Sequence, residues 1–169
     1  MSGPVAVIGL DPGSQVTGYG VVRESSGRAE LIAVGTIRTP SGGDMAARLG
    51  TIYSRVAALI AEHGPTEAAI ESVFVSKNTG SAIKLGQARG AAMAACAVAG
   101  LTVADYAPTL VKKTIVGAGR AEKEQVAFMV AQILGVKKPD WALDASDALA
   151  VAICHLNQRR MRKLAGGRP

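Results

Sequence analysis

The chain has 169 residues, 49% of them hydrophobic, and carries a formal net charge of +6. That length supports one core and excludes two ordinary domains, and the basic balance favours a polyanionic partner. The N-terminal apolar run is short and ends in Asp11, unlike a signal peptide, and Arg89 interrupts the longest membrane-span candidate, so a cytoplasmic protein is expected.

Val5 to Asp11 reads as a buried strand, followed by a Pro-Gly-Ser turn. Gly18–Glu24 and Ala29–Arg38 read as two more strands around a Ser25–Arg28 hairpin turn. Asp44 caps an amphipathic helix carrying Met45, Leu49, Ile52, Tyr53, Val56, Leu59 and Ile60, stopped by Gly64-Pro65. Glu67–Val73 is a fourth strand, and a helix spans Asn78 to Ala99. From Gly90 to Gly100 that helix is apolar all round, so either the domain buries it fully or a second subunit covers part of it; Gly86 and Gly90 would admit a close helix.

Leu101–Tyr106 is the fifth strand, Pro108–Val116 a short helix and Gly117–Arg120 a loop. Glu122–Leu134 is helical up to Gly135, and the last helix spans Asp144 to Lys163. Cys96 and Cys154 lie in apolar helical patterns without CxxC spacing and read as buried reduced thiols. The fold class expected is α/β: a mixed five-stranded sheet with helices on both faces, in a single domain over 1–164 followed by a disordered basic tail, 165–169.

Most of the thirteen acidic residues, Glu24 and Glu67 among them, are assigned to turns or helix surfaces. Asp11 and Glu71 are not, because they stand in or at the end of apolar strands, where an unpaired charge is costly. Asp144 and Asp147, three apart, share one face at a helix start. Taken singly, Asp144 reads equally well as an N-cap, and Asp147 as a first-turn acid favoured by the helix dipole. Asp105 reads as a strand-end residue facing solvent. Together, Asp11, Glu71, Asp144 and Asp147 form the set of hard oxygen donors that a divalent cation such as Mg²⁺ takes, and a pair of such ions suits phosphodiester cleavage.

VIGLDPGSQVTGYGVV, AIESVFVSKNTGSAIKLGQARG, VKKTIVGAGRAEKEQV and DASDALAVAICH resemble, in order and spacing, the bacterial Holliday-junction resolvases of the RuvC family, from about Val5 to His155. The resemblance implies a ribonuclease H-like fold, a homodimer and dependence on Mg²⁺ (two ions per site) or Mn²⁺, with the metal-binding acids falling on Asp11, Glu71, Asp144 and Asp147. It also implies four-way junction DNA as substrate and a branch-migration helicase complex of the RuvA–RuvB type as partner. Phe74, between Glu71 and Lys77, Asn78 and Lys84, reads either as a core aromatic or as a ring stacking on an unpaired base; the family resemblance favours the second, with Lys77 and Lys84 as DNA-binding cations beside it. Lys112, Lys113, Arg120 and Lys123 surround the Gly117-Ala-Gly119 loop and would neutralise phosphates as a group. Lys112 and Lys123 match family positions tied to activity, with Lys123 counted among the catalytic residues. His63 and His155 read as structural or surface residues, while Ser14, Gln15 and Thr17 are placed at the site entrance without a task.

An actin-like ATPase would need two related domains and a second glycine-rich phosphate loop, which this chain lacks. A basic module without chemistry would leave the strand acids unexplained. A different ribonuclease H-like nuclease acting on RNA or a hybrid is separated from a resolvase by the family resemblance alone. The expectation is therefore a dimeric junction endonuclease producing 5′-phosphate and 3′-hydroxyl ends.

Overall fold

The computed structural model describes residues 3–73 and 78–166, so the expectations for Phe74 and Lys77 lie outside the described residues, and the tail is described only as far as Gly166. The elements run β1 (Val5–Asp11), β2 (Val16–Ser25), β3 (Arg28–Arg38), α1 (Met45–His63), β4 (Glu67–Glu71), α2 (Thr79–Val98), β5 (Thr102–Tyr106), α3 (Pro108–Val116), α4 (Lys123–Ile133) and α5 (Leu143–Leu164). The strands form one mixed sheet in the order β3-β2-β1-β4-β5. β1, β2 and β3 pair antiparallel, and β1–β4 and β4–β5 pair parallel. The hairpin between β2 and β3 turns on Ser26 and Gly27, at φ 51° and 78°, the positive values that match a tight turn to the sheet's twist.

Strand periodicity decides which side chains meet which helices. On one face Val7, Val22 and Ala69 join a buried cluster with α3, α4 and α5. On the other, Ile8, Leu10, Val21, Ala68 and Ile70 pack with α1 and α2. α1 has the caps read from sequence: the Asp44 carboxylate accepts from the Ala47 N–H at 2.7 Å, and Gly64 closes the helix in the left-handed region at φ 57°.

α5 runs across the middle of the sheet, over β1 and β2, with residues 145, 146 and 148–156 buried. It can lie that close because Gly9, Gly18 and Gly20 carry no side chain there. A methyl at Gly9 or Gly18 would overlap the backbone of Ala148 or Asp144, and one at Gly20 would overlap Leu149.

Three details differ from the sequence reading, and one alternative it left open, the cover of α2, is decided. β4 ends at Glu71 rather than Val73, because its ladder with β5 stops at Glu71–Tyr106. The N-cap of α5 is Ala142, so Asp144 sits inside the first turn and is not the cap. α2 buries Ala88, Ala92, Ala95 and Cys96 but leaves Gly86, Gly90, Ile83 and Val98 exposed, the last two at 63% and 76%, so one face of that helix is left uncovered among the described residues. Glu24 and Glu67 are strand residues paired with α5 rather than turn or helix-surface acids. Cys96 and Cys154 are free and buried, as expected. Among the described residues no helix is long and apolar enough to cross a membrane.

Candidate active site

Alternation along β1 puts Asp11 on the same face as Val7 and Gly9, beneath α5, and alternation along β4 puts Glu71 on the face of Ala69. Both acids stand at the carboxyl ends of neighbouring parallel strands, where open α/β sheets build their sites. α5 begins above this point, and its first turns deliver Asp144 and Asp147 from the opposite side. Asp11, Asp144 and Asp147 each offer a carboxylate oxygen, and these oxygens all lie within 4.8 Å of one another. Glu71 is not part of that close triad but lines the same cleft, with Asp11, Asp147, Lys112, Lys123 and Val126.

The turn after Asp11 is clasped from below. Thr17, placed at the site entrance from sequence, is fully buried instead. Its hydroxyl accepts from the Gly13 N–H at 3.3 Å and donates to the Gly13 carbonyl at 3.1 Å. The Thr39 hydroxyl donates to the Ser14 carbonyl at 2.8 Å, and the Thr39 N–H donates to the Gln15 carbonyl at 3.0 Å. Pinned on both sides, the turn holds Asp11 on a rigid base.

The predicted cations divide. Lys123, the first residue of α4, donates to the Asp147 carboxylate at 3.0 Å, and Lys112 from α3 lines the cleft beside it. Lys84, Lys113 and Arg120 are exposed and do not line the cleft.

Burial first, and then the charges of Glu71, Asp147 and Asp144, push the Asp11 carboxyl up to about 7, with Lys123 opposing. Glu71 is raised by burial and by Asp147. Asp147 is raised by burial, which outweighs the lowering effect of its bond to Lys123. The same bond raises Lys123 and keeps it cationic. A cluster of carboxylates desolvated to this degree is repulsive when ionised, and only protons or a cation can relieve it. All the donors are carboxylate oxygens, which suits a hard divalent ion such as Mg²⁺, Mn²⁺ or Ca²⁺.

Two further polar clusters were not read from the sequence. Glu67, at the far end of β4, accepts from Arg159 at 2.9 Å and bonds His155 Nε2 at 2.6 Å, and His155 Nδ1 bonds the Tyr106 hydroxyl at 2.8 Å. This confirms His155 as a structural residue at the end of the sheet away from the acids. Asp105 is exposed near the end of β5, as expected, and is also bonded by Arg89. Neither pairing has a sequence signal, since the partners stand 16 to 92 residues apart.

The family model described as crossover junction endodeoxyribonuclease RuvC matches residues 7–155. A protein of that name from Solidesulfovibrio magneticus is 59% identical over 99% of this chain and 98% of its own length. One from Nitratidesulfovibrio vulgaris is 58% identical over 98% of this chain and 99% of its own. Among solved structures, T. thermophilus RuvC in complex with Holliday junction substrate superimposes with a TM-score of 0.86 at 35% identity, covering 93% of this chain and 96% of that one.

Proposed function

Since the chain belongs to the RuvC family of crossover junction endodeoxyribonucleases, we propose that it resolves four-way DNA junctions by paired, symmetric, metal-dependent nicks in homologous recombination and repair, leaving 5′-phosphate and 3′-hydroxyl ends. The observation that carries the chemistry is the partly buried Asp11 carboxylate with Asp144 and Asp147 oxygens close around it and Glu71 across the same cleft. In this reading Asp11, Glu71, Asp144 and Asp147 hold two Mg²⁺ ions, or Mn²⁺ in their place, which when bound supply charge stabilisation at the scissile phosphate and a lowered water pKa.

The protein's own groups do the rest. The clasped turn and α5 fix the acids before substrate arrives, so little reorganisation is needed at the reacting phosphate. Lys123 and Lys112 bring positive charge to the cleft, where it offsets the phosphate's negative charge; Lys123 is already oriented by Asp147. Phe74, stacking on an unpaired base, and Lys77, Lys84, Lys113 and Arg120 along the DNA backbone belong to the proposal through the family resemblance. It also includes a single nuclease domain over 1–164, a cytoplasmic location and a branch-migration helicase complex as partner.

Wild type should cut a synthetic four-way junction in Mg²⁺ and not in EDTA, and Asp11→Asn should cut in neither. Full cleavage by Asp11→Asn, or no cleavage of branched DNA by wild type, would refute the assignment.

A two-fold dimer presents equivalent sites to equivalent strands, which accounts for symmetric cutting. The exposed face of α2 supports it as the contact: Gly86 and Gly90 have open space in front of them, flanked by exposed Ile83. Light scattering should give a dimer for wild type and a monomer for Gly90→Leu at micromolar concentration. An unchanged mass for Gly90→Leu places the contact elsewhere.

A further inference from the structure

We propose that Arg89 is a positioning residue for the metal centre: from α2 it fastens the end of β4 and so sets where the Glu71 carboxylate stands. The proposal rests on reading Asp11, Glu71, Asp144 and Asp147 as one centre. β4 is weakly held where it matters most. Its pairing with β1 stops at Leu10–Ile70, one residue short of Glu71. On the other side Glu71 is opposite Tyr106, and the Ser72 N–H donates to the Tyr106 carbonyl at 2.8 Å as the last tie to β5.

Arg89 adds a tie at this point. Its Nε donates to the backbone carbonyl of Glu71 at 3.4 Å, and a terminal nitrogen donates to the Asp105 carboxylate. Asp105 lies on β5 opposite Ile70, the residue before Glu71. One guanidinium therefore bridges the carboxyl ends of two adjacent strands, and its rigid planar fork holds both partners in one fixed geometry, which the flexible point charge of a lysine does not.

The energetics separate positioning from stabilisation. The Asp105 side chain is 49% exposed and that of Arg89 22%, so the ion pair is screened and adds little to folding. Its effect falls on orientation instead. Glu71 is the acid whose oxygens lie outside the close triad, so its reach to a shared ion depends on the angle at which β4 ends. Groups that orient metal ligands from behind typically change metal affinity or activity by about 10- to 100-fold when removed.

The test is Mg²⁺ titration of the thermal midpoint without DNA, together with single-turnover junction cleavage, for wild type, Arg89→Met, Arg89→Lys, Asp105→Asn and Glu71→Gln. Arg89→Met should raise the Mg²⁺ concentration at half-effect by about 10-fold and lower the single-turnover cleavage rate constant by a similar factor, with the concentration that half-saturates junction binding little changed. Its metal-free midpoint should move by no more than about 3 °C. Arg89→Lys and Asp105→Asn should fall between it and wild type, and they decide the matter if Arg89→Met fails to fold. If Glu71→Gln shifts the Mg²⁺ response and the Arg89 and Asp105 variants do not, the positioning role is overturned while the metal centre stands. If wild type shows no Mg²⁺ response, or Glu71→Gln leaves it intact, the metal centre itself falls and the proposal with it.

Discussion

Asp11→Asn is expected to yield a metal-free protein that is harder to unfold than wild type at pH 8 and unable to cut DNA. The folded-state pKa of Asp11 is raised from 3.8 to about 7, chiefly by burial and then by Glu71 and Asp147. Between those values the folded protein holds a proton that the unfolded chain has lost, so stability falls as pH rises from about 4 to about 7 and stays low above. The full shift corresponds to about 4 kcal/mol; residual solvent contact and coupling to neighbouring acids reduce the usable figure to about 2 kcal/mol. An asparagine keeps the shape, removes the charge, and offers amide hydrogens to the remaining carboxylates. In a domain of this size the gain corresponds to about 4–8 °C at pH 8 in EDTA and should shrink towards pH 4. Adding Mg²⁺ should raise the wild-type midpoint and leave that of Asp11→Asn almost unmoved, because only a state that binds the ion is stabilised by it. A lower midpoint for Asp11→Asn at pH 8 in EDTA would show that the carboxylate is not held at a cost.

That cost explains why this part of the molecule was legible in the sequence. An acid at the end of an apolar strand contradicts the hydrophobic pattern around it, and such contradictions mark sites. Asp11 and Glu71 stood out this way, and the i, i+3 spacing of Asp144 and Asp147 gave one helix face. The strand and helix order was legible for the same periodic reasons, with boundaries moved by one or two residues where ladders end. What could not be read was who stands behind these residues. From sequence Thr17 is placed at the site entrance without a task, and its role depends on a turn folding back four residues onto its hydroxyl. Glu67 looked like a surface acid because His155 and Arg159 lie 88 and 92 positions away. Asp105 does face solvent, but its partner could not be read, because the sequence does not show that α2 brings Arg89 over the ends of β4 and β5. The exposed face of α2 was also undecidable, since an all-apolar helix is equally consistent with complete burial.

The glycines under α5 lead to the second large effect, in Gly18→Ala. Gly18 is paired with Asp11 across the β1–β2 ladder, and its α-carbon faces the first turn of α5. No positive φ is involved, so the requirement is for space and not for backbone freedom. An added methyl would overlap the Asp144 carbonyl carbon and oxygen and crowd the Ala145 nitrogen. These are helix backbone atoms with no rotamer to change, so the start of α5 must lift away from β1 and β2. Overpacking of this kind costs about 1–3 kcal/mol, and a backbone-to-backbone overlap belongs at the upper end. The same displacement carries Asp144 and Asp147 away from Asp11, so the metal response should suffer more than the fold. Gly20→Ala is the control: its methyl meets chiefly the Leu149 side chain, which can shift, and it lies further from the acids. Both variants should lose stability in EDTA. Gly20→Ala should keep a wild-type rise in melting midpoint on adding Mg²⁺ and keep its cleavage activity, whereas Gly18→Ala should lose most of both. A wild-type Mg²⁺ response in Gly18→Ala would mean that the acids do not depend on how closely α5 approaches the sheet, and the glycine would then serve packing alone.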